Sequence, residues 1–252
     1  MDKINEKNSV YFRRICIIFN TQILVLILKT KKMEAKFIPY TRTLLRGEEL
    51  LKESQNHLRF MESRRTVREF SSEPVAMEVL ENIVMAASTA PSGANKQPWT
   101  FCIVTDPAIK AKIRVDAEKE EYESYHGRMS QEWLDDLSYL GTDWHKPFLE
   151  EAPALIIVFK KSYNILPDGG KTNNYYVSES VGLAGGYLLN AIHQCGLVAL
   201  THTPSPMNFL GKILNRPANE KAFLLVPVGY PIENVTVPDI KRKVAGDVIV
   251  HY

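Results

Sequence analysis

Four short apolar runs govern what this chain can fold into: Trp99 to Val104, Ala154 to Phe159, Leu197 to Leu200 and Phe223 to Val228. Each has strand length and is rich in β-branched or aromatic residues, and the stretches between them carry helical periodicity. That alternation predicts a mixed α/β layer fold, with helices packed on a central sheet. Met77 to Ala87 repeats apolar residues at Val79, Leu80, Ile83, Val84 and Ala87 and reads as a helix, with Ser71-Ser72-Glu73-Pro74 ahead of it as cap and first turn. Thr43 to Phe60 reads as an amphipathic helix, polar on most faces. Tyr175 to Gln194 is the longest apolar helix candidate, and its Gly182, Gly185 and Gly186 each cost stability relative to alanine. Close approach of another helix, within the chain or across a dimer, would offset that cost.

With 252 residues, 45% hydrophobic and 24% charged, the chain can bury the core of one domain. Lys and Arg number 31 against 29 Asp and Glu, a balance that excludes a general nucleic-acid binder and makes the basic residues local tools. Cys16, Cys102 and Cys195 are odd in number and far apart, which argues against a disulfide framework and for a reducing, cytoplasmic compartment. No metal is expected, because the histidines lack His-x-x-x-His spacing and no Cys-His cluster exists. Gly169-Gly170-Lys171-Thr172 ends like a phosphate-binding loop, but Ile165 stands where the first glycine belongs, so a hairpin or surface loop is expected there. There is no Gly-x-Gly-x-x-Gly and no Gly-x-Ser-x-Gly.

Residues 1–32 do not conform to the rest, and the sequence divides into that extension and a domain over 33–252. Arg13-Arg14 precede a largely apolar run, Ile15 to Leu28, broken by Asn20-Thr21-Gln22 and closed by Lys29-Thr30-Lys31-Lys32. The run is short for a spanning helix and lacks a small-x-small cleavage site. Two readings stand: a weak membrane anchor, or an upstream stretch read in frame before a true start at Met33. The second is favoured, because ordinary soluble composition begins at Met33.

Two clusters carry chemistry. Arg64-Arg65-Thr66-Val67-Arg68 places three guanidinium groups within five residues, enough to surround a phosphate monoester with planar, charge-assisted donors. Ala90-Pro91-Ser92-Gly93-Ala94-Asn95-Lys96-Gln97-Pro98-Trp99 stiffens the backbone around small residues, which lets peptide groups approach a flat ligand. Alone, the first reads equally as a solvated helix start and the second as a turn. Further on, Ala108 to Leu140 is highly charged and helical in pattern. Most of its charges read as a solvated face, yet Glu121 and Tyr125 lie at i and i+4 and could meet one ligand. With Lys146 they could pair with both ends of an amino-acid zwitterion.

The order Arg-Arg-Thr-x-Arg, amphipathic helix, then Ala-Pro-Ser-Gly-x-Asn-x-Gln-Pro-Trp resembles the nitroreductase family of FMN enzymes. From about Met61 to Lys243 the chain is similar to the iodotyrosine deiodinase branch of that family, through Glu121-Tyr122-Glu123-Ser124-Tyr125, Thr142-Asp143-Trp144-His145-Lys146, Thr201-His202-Thr203-Pro204 and Val237-Pro238-Asp239-Ile240-Lys241-Arg242-Lys243. The resemblance implies a central mixed sheet flanked by helices and an intertwined homodimer. It implies FMN held by Arg64, Arg65, Thr66, Val67, Arg68 and Arg242, with Ser92, Gly93, Thr201, His202 and Thr203 around the ring system. Thr203 would reach flavin N5, and Ala94 would offer its N–H to a substrate phenolate oxygen; these are the two catalytic candidates. Glu121, Tyr125 and Lys146, with Ala94, would bind the substrate. His202 replaces a threonine of the family pattern, which puts the local flavin contact there in question.

The implied activity is reductive dehalogenation of halotyrosines by an FMN-dependent oxidoreductase. A broad nitro or quinone reductase would need the flavin site without the clamp, and a flavin-binding protein would need no dedicated substrate. An external electron donor, NAD(P)H or a reductase, is implied. No nicotinamide motif identifies it.

Overall fold

The computed structural model describes residues 35–252. The expectations for residues 1–32, including the apolar run from Ile15 to Leu28, Cys16 and the start at Met33, lie outside the described residues. Among the described residues no helix is long and apolar enough to cross a membrane. The chain divides into two units, Met1–Leu51 and Lys52–Tyr252. In the first, residues 35–46 have no regular structure. Helix α1 (Gly47–Ser63) starts four residues later than the polar pattern predicts and buries no residue.

The second unit is organised by strand β2 (Ala154–Lys161). Both of its faces are buried, so it reads as a continuous apolar run rather than an alternating one. It pairs antiparallel with β1 (Trp99–Val104) on one side and with β6 (Glu220–Gly229) on the other, setting Ile157 opposite Cys102 and Leu225. The short β5 (Val198–Ala199) closes the far edge, giving the order β1-β2-β6-β5. All these pairings are antiparallel. Outside the strands, an isolated bridge from Thr66 to Ala199 is parallel. The hairpin β3 (Tyr163–Ile165) and β4 (Lys171–Asn173) encloses Gly169 and Gly170, as their failed phosphate-loop spacing implies.

Helices cover both faces. Ile156 and Val158 meet α2 (Met77–Ala87) and α6 (Val177–Gln194) through Leu80, Ile83, Val181 and Leu188. Leu155, Ile157 and Phe159 point the other way, toward Ile113 of α3 (Pro107–Glu123), Leu149 of α5 (Phe148–Glu151) and Leu210 of α7 (Asn208–Ile213). Helix α4 (Gln131–Ser138) and α8 (Ala245–Val248) bury no residue.

Two local expectations are corrected. Ser71 to Pro74 does not cap α2, which begins at Met77 after an uncapped Ala76; the Ser71 hydroxyl is spent two residues on, accepting from the Glu73 N–H. The glycines of α6 are not explained by a neighbouring helix of the same chain. A Cβ at Gly185 would stand 2.9 Å from Leu224 Cδ1, so there α6 lies close against strand β6, while Gly182 and Gly186 face open space.

Gly229 is the tightest glycine in the sheet. A Cβ there would meet the Pro153 ring at 2.4 and 2.6 Å, and a pyrrolidine ring cannot rotate away. Gly229→Ala is expected to cost about 1–3 kcal/mol in urea unfolding. Gly211→Ala, in a helix with nothing within 4 Å of the new methyl, is expected to add about 0.5–1 kcal/mol.

Candidate active site

Helix α3 is built to carry a carboxylate inward. Asp106 caps it, accepting from the N–H groups of Ala108 and Ile109, and Pro107 occupies the first turn. Its buried stripe is Lys110, Ile113, Ala117 and Glu121, apolar in the middle and charged at each end. Lys110 Nζ is satisfied by the carbonyls of Glu150 at 2.8 Å and Ala152 at 2.7 Å. Glu121, at the other end, meets a cavity. There the helix widens into a π-helical turn, Ser124–Arg128, which carries Tyr125 to the same cavity. Arg128 ties that turn down, pairing with Glu120 at 2.8 Å and donating to the Ser205 carbonyl at 2.8 Å.

The cavity, about 230 Å³, brings together Arg68, Glu121, Tyr125, Lys146, Thr201, His202 and Thr203. Met129, Trp133, Leu137 and Phe148 supply its apolar lining. Lys146 Nζ stands 3.5 Å from Glu121 Oε2, donates to Thr142 Oγ1 at 3.3 Å and to the Asp143 carbonyl, and lies over the Tyr125 ring. The Tyr125 hydroxyl donates to the Thr142 carbonyl at 3.4 Å. Lys146 and Glu121 are 3% and 8% exposed, a burial at which desolvation outweighs their attraction. Burial pushes the Glu121 carboxyl up and the Lys146 ammonium down, and each partner only partly restores the other.

Three contributors escape a reading of residue types. Glu118 looks like one more solvated charge, yet it accepts from the Lys146 backbone N–H at 2.7 Å and from Arg114 at 2.8 Å, fixing the segment that bears the lysine. Thr142 organises both Lys146 and Tyr125. Phe148 packs edge-on against the His202 ring, with centroids 5.6 Å apart. Of these, Thr142 alone had a signal, its place in the stretch ending at Lys146.

Thr201, His202 and Thr203 continue from β5 with strand alternation: the two threonines are exposed and His202 is buried. His202 exchanges two backbone hydrogen bonds with Leu225, 2.8 and 3.0 Å long. Its imidazole is held neutral, with a pKa lowered to about 3 by burial and then by Lys146 and Arg68.

The arginine cluster joins this strand end through Thr66, bridged to Ala199, and through Val67, whose N–H donates to the Ala199 carbonyl at 3.3 Å. Val67 is core, with its donor already used. Arg242 donates to the carbonyls of Glu62 and Arg64, and Arg65 to that of Pro238, which gathers the two ends of the domain. Arg64 is lowered by burial, then by Arg242 and Arg65; Arg68 is lowered by burial. Among the described residues none of these four guanidinium groups pairs with a carboxylate. Arg64, partly buried, repelled by Arg242 and Arg65 and without an acid, fits a phosphate group.

Ser92, Gly93 and Ala94 stand elsewhere. They precede β1, at the opposite sheet edge from β5, and do not line the cavity holding Glu121. Gly93 abuts the start of α6: a Cβ would lie 3.0 Å from the Tyr175 carbonyl and the Tyr176 ring. Ala94, Asn95 and Gln97 all have left-handed φ, at 49°, 52° and 47°, a concentration of strain typical of functional segments. The peptide N–H groups of Gly93, Asn95, Lys96 and Gln97 donate to Ser180, Ser92, Gly93 and Ser92 respectively. The Ala94 N–H has no acceptor among the described residues.

The buried pair sets opposite pH signatures. In Lys146→Met the Glu121 carboxyl, already raised, rises further, so the folded state binds more protons than the unfolded one and stability falls as pH rises. Urea unfolding of this variant should show a larger loss at about pH 8 than at about pH 5. In Glu121→Gln the Lys146 ammonium falls further and the unfolded chain binds more protons. That variant should show the larger loss at about pH 5.

Comparison with known proteins accords with this geometry. The Nitroreductase family profile matches residues 61–230. An iodotyrosine deiodinase from Haliscomenobacter hydrossis is 65% identical over 88% of this chain and 100% of its own length. Iodotyrosine deiodinase 1 of Homo sapiens is 44% identical, over 84% of this chain and 74% of its own. A crystal structure of oxidized iodotyrosine deiodinase bound to FMN and 3-iodo-L-tyrosine superposes with a TM-score of 0.66 at 35% identity, covering 77% of this chain and 97% of that one. The chain belongs to the nitroreductase family, in its iodotyrosine deiodinase branch.

Proposed function

We propose that this protein is an FMN-dependent reductive dehalogenase of halotyrosines, working as a homodimer and reduced by an external donor. The carrying observation is the convergence of Glu121, Tyr125 and Lys146 on one cavity with Arg68, Thr201 and Thr203. A nitro or quinone reductase has no use for a buried cation and anion side by side. The solved relative holding FMN and 3-iodo-L-tyrosine supports the same reading. In the overall conversion the carbon–halogen bond is replaced by a carbon–hydrogen bond, halide leaves with the bonding pair, and two electrons and one proton are taken up. FMN, when bound, supplies the electrons.

The chain's own residues bind, orient and exclude water. Arg64, Arg65, Thr66, Arg68 and Arg242 would hold the FMN phosphate and ribityl chain, with Thr201 and Thr203 presenting hydroxyls from one exposed strand face. Glu121 would take the substrate ammonium, and Lys146 with Tyr125 the carboxylate, so that one strained internal pair gives way to two complementary external ones. The unpartnered Ala94 N–H would donate to the phenolate oxygen and favour the keto tautomer from which halide can leave. Met129, Trp133 and Leu137 would cover the ring, and the Glu120–Arg128–Ser205 tie would keep the turn closed against water.

The two halves of this site are proposed to come from two chains. Ser92 to Ala94 and Thr201 to Thr203 lie at opposite edges of a four-stranded sheet, about 14 Å apart by strand spacing alone. A second copy would bring the Ala94 segment to the first copy's threonines. Helix α6 offers the face for it, with Gly182, Leu183, Gly186 and Tyr187 exposed and the glycines open to close approach.

Halotyrosine should therefore bind the oxidised enzyme far more tightly than a halophenol with the same ring, as read from quenching of flavin fluorescence. Glu121→Gln or Lys146→Gln should weaken halotyrosine binding about 30-fold or more, while FMN stays bound and nitroaromatic reduction survives. Equal affinity for the two ligands, unaltered by either substitution, would replace the dehalogenase reading with a general reductase. Gly186→Arg should elute as a monomer and lose its FMN; a yellow dimer would overturn the shared site.

A further inference from the structure

Among the buried polar side chains of the cavity, His202 carries a nitrogen with no hydrogen bond. His202 is 7% exposed, and its Nε2 is buried without a hydrogen bond to any described residue. That atom faces Glu121 Oε1 across 3.9 Å, too far for a hydrogen bond. The reason for the gap lies on the other side of the carboxylate, where Oε2 is drawn toward Lys146 at 3.5 Å. Leu225 holds the backbone of His202 on both its N–H and its carbonyl, and Phe148 flanks the ring, so it is the carboxylate that must move.

We infer that His202 is a positioning residue for Glu121, donating its Nε2–H to Glu121 Oε1 when a substrate ammonium displaces Lys146 from the other oxygen. This rests on the halotyrosine reading and deepens it. An orphaned buried nitrogen is costly, and His202 Nε2 is one. Binding of a zwitterion repairs it: Lys146 turns to the carboxylate, the Glu121 carboxylate is released to re-aim, and His202 fixes its second oxygen. The imidazole performs this as a neutral donor. Lys146 and Arg68 face it alongside Tyr125 and Glu121, and together with burial the two cations keep it unprotonated. A protonated ring would compete with the ammonium for Glu121, whereas a neutral one aligns the carboxylate without cancelling its charge. The exposed, buried, exposed pattern of residues 201–203 places this side chain on the opposite strand face from Thr201 and Thr203, so the departure from the family's threonine acts at the amino-acid end of the site.

The test compares binding of iodotyrosine and iodophenol to the oxidised holoenzyme by flavin quenching. His202→Leu should weaken iodotyrosine binding roughly tenfold, the worth of one hydrogen bond to a charged group, and leave iodophenol binding and FMN content unchanged. His202→Gln, whose amide nitrogen can reach the same place, should restore affinity to within about threefold of wild type. In a Glu121→Gln background, His202→Leu should produce no further loss of iodotyrosine affinity. Equal weakening of both ligands, no rescue by Gln, or a full additional loss in that background would each overturn the proposal. Should His202→Leu not fold, His202→Thr, too short to reach Glu121, carries the same expectations. A wild-type enzyme that does not distinguish the two ligands removes the clamp itself. One that does, with His202→Leu equally discriminating, removes this inference alone.

Discussion

Everything in the second unit depends on β2 being buried on both faces. A strand with Leu155, Ile157 and Phe159 on one side and Ile156 and Val158 on the other needs a helical layer above and below, and it receives both. It also needs neighbours on each edge, which β1 and β6 supply. With only β5 beyond β6, the sheet is narrow, and the loops leaving its outer strands are held apart by the strands between them. The Ala94 segment and the Thr201–Thr203 segment inherit that separation. Segregation of these two segments to opposite edges is thus a consequence of core geometry, and it is the ground on which a second copy is proposed to complete the site.

The cavity is a study in incomplete satisfaction. Glu121 and Lys146 are both pushed toward their neutral forms and His202 keeps an unpaired nitrogen, while outside the cavity Arg64 and Arg65 lack acids and the Ala94 N–H lacks an acceptor. Folded proteins pair buried polar groups almost without exception, so the unsatisfied groups buried in the cavity mark it as a candidate binding site. The zwitterion, phosphate and phenolate oxygen of the proposed function would answer those deficits group by group. The ordinary network around Glu220, where Thr100 and Arg216 satisfy the carboxylate at 2.7 Å each, shows what a purely structural buried charge looks like in the same fold.

Local pattern made much of the architecture legible. Helix α2 and strand β1 run over the residues that periodicity marks, because their apolar spacing and their burial coincide. Strands β2 and β6 outrun their apolar cores: Lys160, Lys161, Glu220 and Lys221 read as polar flanks, yet their backbones stay in the ladder and Lys161 pairs with Glu220 across it. The charged stretch after Ala108 shows the reverse limit. Spacing to Tyr125 marks Glu121, but Glu118 and Glu120 look equivalent in sequence, and only the tertiary structure decides that one supports the Lys146 backbone and the other holds Arg128.

What the sequence by itself determined is the layered α/β class, the family and the residue types of the site, since periodicity, motif order and the identities of Arg64, Arg68, Glu121, Tyr125 and Lys146 are properties of the chain read in one dimension. Only the tertiary structure decided how those groups are used. Distance across the sheet separates Ala94 from Thr203, burial sets the ionisation of Glu121, Lys146 and His202, and strand alternation turns His202 away from its threonine neighbours toward Glu121. Each is set by contacts between residues remote in sequence, and desolvation and distance have no representation in the order of amino acids.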